Sequence, residues 1–171
     1  MDILTKHLEH RKKHKRKEAC WVVGNLVAEK KLIGHILESS VFTKVFHLIQ
    51  MDQPDIRTDA TFIVKNALDN LSYEELEIFV KKGIMEMIIR NMDMQYPIDL
   101  IDISLDTLRK ILERGAAQAE LEGHRINLFT HRVFETKGNV TLEELQKHKN
   151  PDIFAKFCRL LDDFFAYDVV K

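Results

Sequence analysis

Helix breakers are what this sequence has least of. Its 171 residues include only 3 prolines and 6 glycines, and the abundance of Leu, Ile, Lys and Glu among the rest points to helices. Cysteine is as scarce. Cys20 and Cys158 lie far apart in apolar periodic segments and read as buried free thiols, which suits a reducing compartment. No apolar run approaches the ~20 residues of a membrane span, and the basic N-terminus lacks the apolar stretch of a secretory signal. An intracellular chain with no membrane contact is expected. Net charge is -1, so overall charge predicts no nucleic-acid partner. The charge is unevenly spread: Arg11 to Lys17 reads RKKHKRK, while Asp162, Asp163 and Asp168 make the far end acidic.

Catalytic signatures are missing too. There is no nucleophile–base–orienter set, no Gly-rich phosphate loop and no HExxH. The acidic pairs Glu74-Glu75, Glu143-Glu144 and Asp162-Asp163 are adjacent in sequence, hence on different sides of a helix. His7, His10 and His14 share a helical face but stand among lysines and arginines, without the ligand set or outer shell of a metal site. No enzyme activity, metal or cofactor is expected.

What the sequence does contain is a repeat. Pro54, Pro97 and Pro151 each precede an apolar-periodic run: DIRTDATFIVKNAL, IDLIDISLDTLRKIL and DIFAKFCRLLDDFF. Proline suits a first helical position, where its missing N–H would be unbonded anyway, so each is expected to open a helix of about four turns. KEACWVVGNLV (17–27) fits the same frame. Superposing Trp21 on Phe62 takes an offset of 41, and Phe62 on Asp106 one of 44. Both offsets suit the roughly 40–47 residues of armadillo and HEAT units. Columns follow from this register. Ala19, Ala60 and Ser104 are small. Cys20, Thr61 and Leu105, then Val23, Val64 and Leu108, then Val27, Leu68 and Leu112 make one buried helical face. Between the long helices lie apolar pieces with breaks at Ser39-Ser40, Lys82-Gly83 and Lys137-Gly138. Three helices per unit distinguish armadillo from HEAT.

The expected fold is therefore all-α: a right-handed superhelical armadillo solenoid of about three to four repeats in a single domain, 1–171. Residues 1–27 form a partial first repeat, 28–68 and 69–112 complete ones, and 113–171 a C-terminal repeat with an insertion. Met1 to Lys17 looks too short to supply the first repeat's missing helices. RKKHKRK reads as a solvated lead-in to a helix, with occupancy of a groove as the sharper alternative.

Trp21 and Asn25 are one turn apart and so lie side by side, roughly 100–140° round from the buried face. The amide can hold a peptide backbone in both directions. The indole offers a wall for a lysine or arginine stem, and Glu18, one turn earlier, can meet its charge. Asn25 and Asn66 could instead tie neighbouring helices together.

KEACWVVGNL (17–26), RTDATFIVKNAL (57–68), ISLDTLRKIL (103–112), AAQAELEGHRINLF (116–129) and LEELQKHKNPDIFAKFCRLLDDFF (142–165) resemble, in order, the last repeats of the importin-α family of nuclear-import adaptors. The resemblance covers nearly the whole chain. It implies that Trp21, Asn25 and Glu18 match one of the rungs that bind basic nuclear localisation signals. Phe62, Asn66 and Asp59 match the next rung with changes, in the minor signal-binding region. Asp106 and Lys110 stand where a third pair would be, so the array stops. Nothing in the sequence matches the repeats of the major signal site or the segment that recruits importin-β, and Lys65 would repel a basic peptide. The implied partners are basic signal peptides of cargo, with the export receptor on the final repeat (Asp152 to Phe165), in cytoplasm and nucleus. The alternative is a non-catalytic scaffold that self-associates or binds a folded partner.

Overall fold

A computed structural model describes residues 2–124, 126–136 and 138–165. Asp168 of the acidic end and Lys137 of the third break lie outside the described residues. Those described form helices α1 (Asp2–Leu8), α2 (Lys13–Ala28), α3 (Ile33–Leu37), α4 (Val41–Met51), α5 (Pro54–Ala67), α6 (Tyr73–Lys81), α7 (Ile84–Arg90), α8 (Ile98–Leu121), α9 (Leu128–Glu135), α10 (Gly138–Leu145) and α11 (Pro151–Phe164). They group into two compact units, Met1–Met87 and Ile88–Lys171.

Local chemistry sets the helix ends. Pro54 and Pro151 stand in the first turns of α5 and α11. Pro97 is instead the N-cap of α8. Ser72 and Glu75 form a reciprocal capping box at α6, with bonds of 3.2 and 2.7 Å. Asn150 accepts from the amides of Asp152 and Ile153 at the start of α11. Gly83 breaks α6 from α7 at φ +88°, a left-handed conformation that glycine enters without a Cβ penalty. Helix α8 runs further than four turns, because AAQAEL (116–121) has no breaker and continues the helix.

In the first unit the long helices α2 and α5 pack on each other, with α4 against α5 and α1 against α2 and α4. Ala19, Cys20, Val23, Val27, Ala60, Thr61, Val64 and Leu68 are all buried, as the column pattern requires. Phe79 stands edge-on to Phe46 and tilted against Phe42, with centroids 5.1 and 4.7 Å away. Arg57 is buried and donates from Nε to the Ile49 carbonyl at 2.9 Å, pairing an acceptor that the end of α4 leaves open.

Two sequence expectations need correction here. Residues 1–17 do supply a helix: α1 forms and fully buries Leu8. Of the thiols only Cys20 is buried; Cys158 is half-buried, and both are free. The basic run leads into α2 and is mostly exposed, as expected; what the sequence did not show is that Lys13, Arg16 and Lys17 also pair with acidic side chains.

In the second unit α8 packs on α9 and α11, and α10 on α9 and α11. Asn127 caps α9 by accepting from the Phe129 amide at 3.0 Å, and its Nδ2 donates to the Leu112 carbonyl at 2.8 Å. Gly115 faces this junction: a Cβ there would overlap Asn127 Oδ1 and lie 2.6 Å from Phe129 Cδ2. Glycine to alanine inside a helix ordinarily gains about 1 kcal/mol. Here the neighbours are an anchored cap and a buried ring. Gly115→Ala should therefore destabilise the protein by about 1–3 kcal/mol, read as a lower urea midpoint with an unchanged m-value.

Candidate peptide-binding face of the first unit

Helices α2 and α5 carry all six residues singled out from the sequence. Trp21 is 73% exposed although its helix neighbours Cys20 and Val23 are buried. Asn25, one turn on, is exposed as well. On α5, Phe62 is 49% exposed, and its ring edge lies 4.0 Å from where a Cβ on Gly24 would stand. An exposed aromatic side chain thus stands on each of these two packed helices.

The asparagines divide their labour. Asn66 Nδ2 donates to the Gly24 carbonyl at 3.1 Å, tying α5 to α2. Asn70, which the sequence did not single out, donates to the Val27 and Ala28 carbonyls at 3.0 and 2.9 Å and extends the tie to the end of α2. Asn25, by contrast, is exposed.

The acidic residues are engaged from within the chain. Glu18 accepts from Lys15 Nζ at 3.2 Å. Asp59 is bridged by Lys17 Nζ at 3.2 Å, and Asp55 by Lys13 at 2.7 Å and by Lys17 at 3.7 Å. These lysines and Asp55 escaped the sequence reading. Lys13 and Lys17 stand eight and four residues before Trp21, and Asp55 and Asp59 are likewise four apart ahead of Phe62, but neither interval points to a partner on the other helix.

Beside them Arg16 grips Asp52 with two bonds, Nε to Oδ2 at 2.6 Å and Nη2 to Oδ1 at 2.8 Å. Its Nη1 also donates to the carbonyls of His10 and Arg11. With side chains only 15% and 11% exposed, this bidentate pair is shielded from salt and raises the Arg16 pKa. Burial chiefly, with Asp59 and Asp52 adding, pushes the Cys20 thiol up to about 12. Burial thus disfavours the reactive thiolate form of Cys20.

Comparison with known proteins bears on the fold and on the sequence resemblance. Over 92% of the chain the sequence is 28% identical to importin subunit alpha-4 of Arabidopsis thaliana, and over 96% it is 24% identical to importin subunit alpha-1b of Oryza sativa subsp. japonica. This chain is similar to importin α subunits. It spans 30% of the length of each of these two relatives. No protein-family profile matches it. Among solved structures, computationally designed armadillo repeat proteins for modular peptide recognition superpose with a TM-score of 0.77 at 17% identity, covering 94% of this chain and 63% of theirs. A designed armadillo repeat protein in complex with the peptide (KR)4 superposes at 0.60 with 16% identity, covering 94% of this chain and 80% of that one. The fold is an armadillo-repeat fold.

Burial opposes ionisation of Asp55, but the bond and charge of Lys13, then Lys17 and the Ile56 amide, outweigh it and hold the carboxyl below its ordinary value. A depressed carboxyl pKa stabilises the fold above the unfolded value, and the gain fades as pH falls through the folded one. Lys13→Met should therefore move the Asp55 titration up toward 3.8, as followed by carboxyl-carbon NMR. An unmoved midpoint would show that the bridge does not set it.

Proposed function

We propose that this chain is an importin-α-like adaptor module that binds extended basic peptides across the α2–α5 face, in the service of nuclear protein import. The observation that carries this reading is Trp21, an indole left 73% exposed while Cys20 and Val23 of the same helix are buried, with the exposed Asn25 one turn beyond it. Leaving so large an aromatic in water forgoes roughly 1.5–3 kcal/mol or more of burial, a cost that a binding surface recovers. The indole takes a lysine or arginine stem by packing and cation–π attraction. The Asn25 amide offers both donor and acceptor to a peptide backbone. Phe62 continues the wall, and Glu18, Asp59 and Asn66 complete the set proposed from the sequence.

The similarity to importin α subunits and the (KR)4 complex of a structural neighbour support the ligand class. On this reading the chain works in cytoplasm and nucleus without catalysis. Its last helix is a candidate contact for the export receptor. No described helix is long and apolar enough to cross a membrane.

A second reading has its own support. Asn66 is tied to Gly24, and Asp59 is bridged by Lys17, so part of the proposed rung already serves internal packing. An armadillo scaffold that binds a folded partner or a second copy would need no more. Fluorescence titration with a labelled (KR)4 peptide separates the two. Trp21→Ala with Asn25→Ala should weaken binding at least roughly tenfold, the scale of one lost hot-spot contact, without loss of helicity by circular dichroism. Equal affinity for the double variant and the parent would sink the groove reading, and light scattering on the parent would then test self-association.

A further inference from the structure

Lys13, Lys17, Trp21 and Asn25 follow one another at intervals of four along α2, so they form one stripe that drifts slowly round the helix. The aromatic and amide half of that stripe lies open. The lysine half is folded over the acidic residues of α5, Lys17 onto Asp59 and Asp55, Lys13 onto Asp55. The four charged groups sum to zero.

We propose that Lys17, supported by Lys13, is a built-in competitor for the cationic side chain of the ligand and sets the charge specificity of this face. The inference rests on the peptide-binding reading above. Asp59 is the carboxylate nearest in sequence to the exposed Phe62. A ligand ammonium or guanidinium approaching it meets Lys17 Nζ at 3.2 Å from its carboxylate oxygen. The ligand must either displace that ammonium or sit beside a like charge. Displacement is feasible because Lys17 is 46% exposed on a flexible stem and Asp59 is 34% exposed, and an exposed pair of this kind contributes little. The parent face therefore selects peptides through stacking and backbone bonding, with the charge contribution largely cancelled.

The test compares the parent with Lys17→Met and with Lys13→Met/Lys17→Met, which keep the aliphatic stems and remove the charges. Each is titrated with labelled (KR)4 and with a neutral peptide of norleucine and citrulline in the same pattern. Lys17→Met should bind (KR)4 about fivefold more tightly, the scale of one exposed ion pair released, with a steeper salt dependence, and should bind the neutral peptide as the parent does. Lys17→Arg, which keeps the charge, should stay at parent affinity. Asp59→Asn added to Lys17→Met should remove the gain. Equal (KR)4 affinity for parent and Lys17→Met overturns the inference and leaves the groove reading standing. A gain that is the same for both peptides also overturns it, because the lysine would then act by bulk. Binding of neither peptide by parent or variant overturns the groove reading and this inference with it. Should Lys17→Met unfold, Lys17→Gln replaces it under the same outcomes.

Discussion

Helices α2 and α5 pack on each other, with Gly24 of α2 set against Ile63 and Phe62 of α5, and the open face of the first unit depends on that approach. There side chains of α5 and of the turn after it bond to the α2 backbone directly. Asn66 reaches the Gly24 carbonyl, and Asn70 reaches Val27 and Ala28. Each such bond contributes only about 1 kcal/mol net, but three of them along one helix end fix the register of the pair. With the register fixed, Val23, Val27, Val64 and Leu68 are committed to the core. Trp21 and Phe62 are then left on the other side. The open aromatic face is thus a consequence of the buried contact, and the amide that could have been a second ligand-facing rung is what secures it.

The second unit uses the same kind of bridge with its charges reversed. Lys156 of α11 donates to Asp102 and Asp106 of α8 at 2.7 and 2.8 Å. Under the repeat offsets Asp102 shares a column with Lys17, and Lys156 stands as far after Pro151 as Asp59 does after Pro54. In α2–α5 the earlier helix gives the cation; in α8–α11 the later one does. Like charges would face each other if the partners were exchanged, and such contacts are unfavourable. Arg109 adds a bond to Asp163 and lies 5.6 Å from the centre of the Phe164 ring. Asp106 occupies the column of Trp21 and Phe62, so a charge bridged to α11 stands where the first unit has an exposed aromatic side chain.

Periodicity alone carried much of this. A buried column must be apolar or small in every repeat, so it can be read from spacing, and the exposed Trp21 follows from its angle to that column. The division between Asn25 and Asn66 could not be read the same way. Both occupy the same position in their own helices, and their roles differ because Asn66 has the Gly24 backbone of α2 within bonding reach. Cross-helix charge pairs were hidden for a related reason. Lys13 and Lys17 reach α5 over long flexible stems, so no fixed sequence interval marks their partners. The exposure of the basic run could therefore be read, and its pairing could not. Helix α1 was missed because seven residues are too few to show a period, and its formation depends on burying Leu8 rather than on propensity.

Stacking and charge are physically separable on such a face. An indole wall binds a lysine stem through contact area and a short-range quadrupole attraction, and both survive in salt. A carboxylate attracts the charged head over a Debye length, about 8–10 Å at physiological ionic strength. A lysine of the same chain can cancel the second effect and leave the first intact. It needs no change to the core, because Lys17 lies on the exposed side of α2 and its ammonium pairs with a half-exposed carboxylate. Truncating Trp21 would remove the stacking wall and leave the charge balance as it stands. A repeat protein of this fold can therefore retune its preference for basic ligands by placing a cation one turn before its aromatic, while the helix–helix register that displays the aromatic stays locked by Asn66 and Asn70.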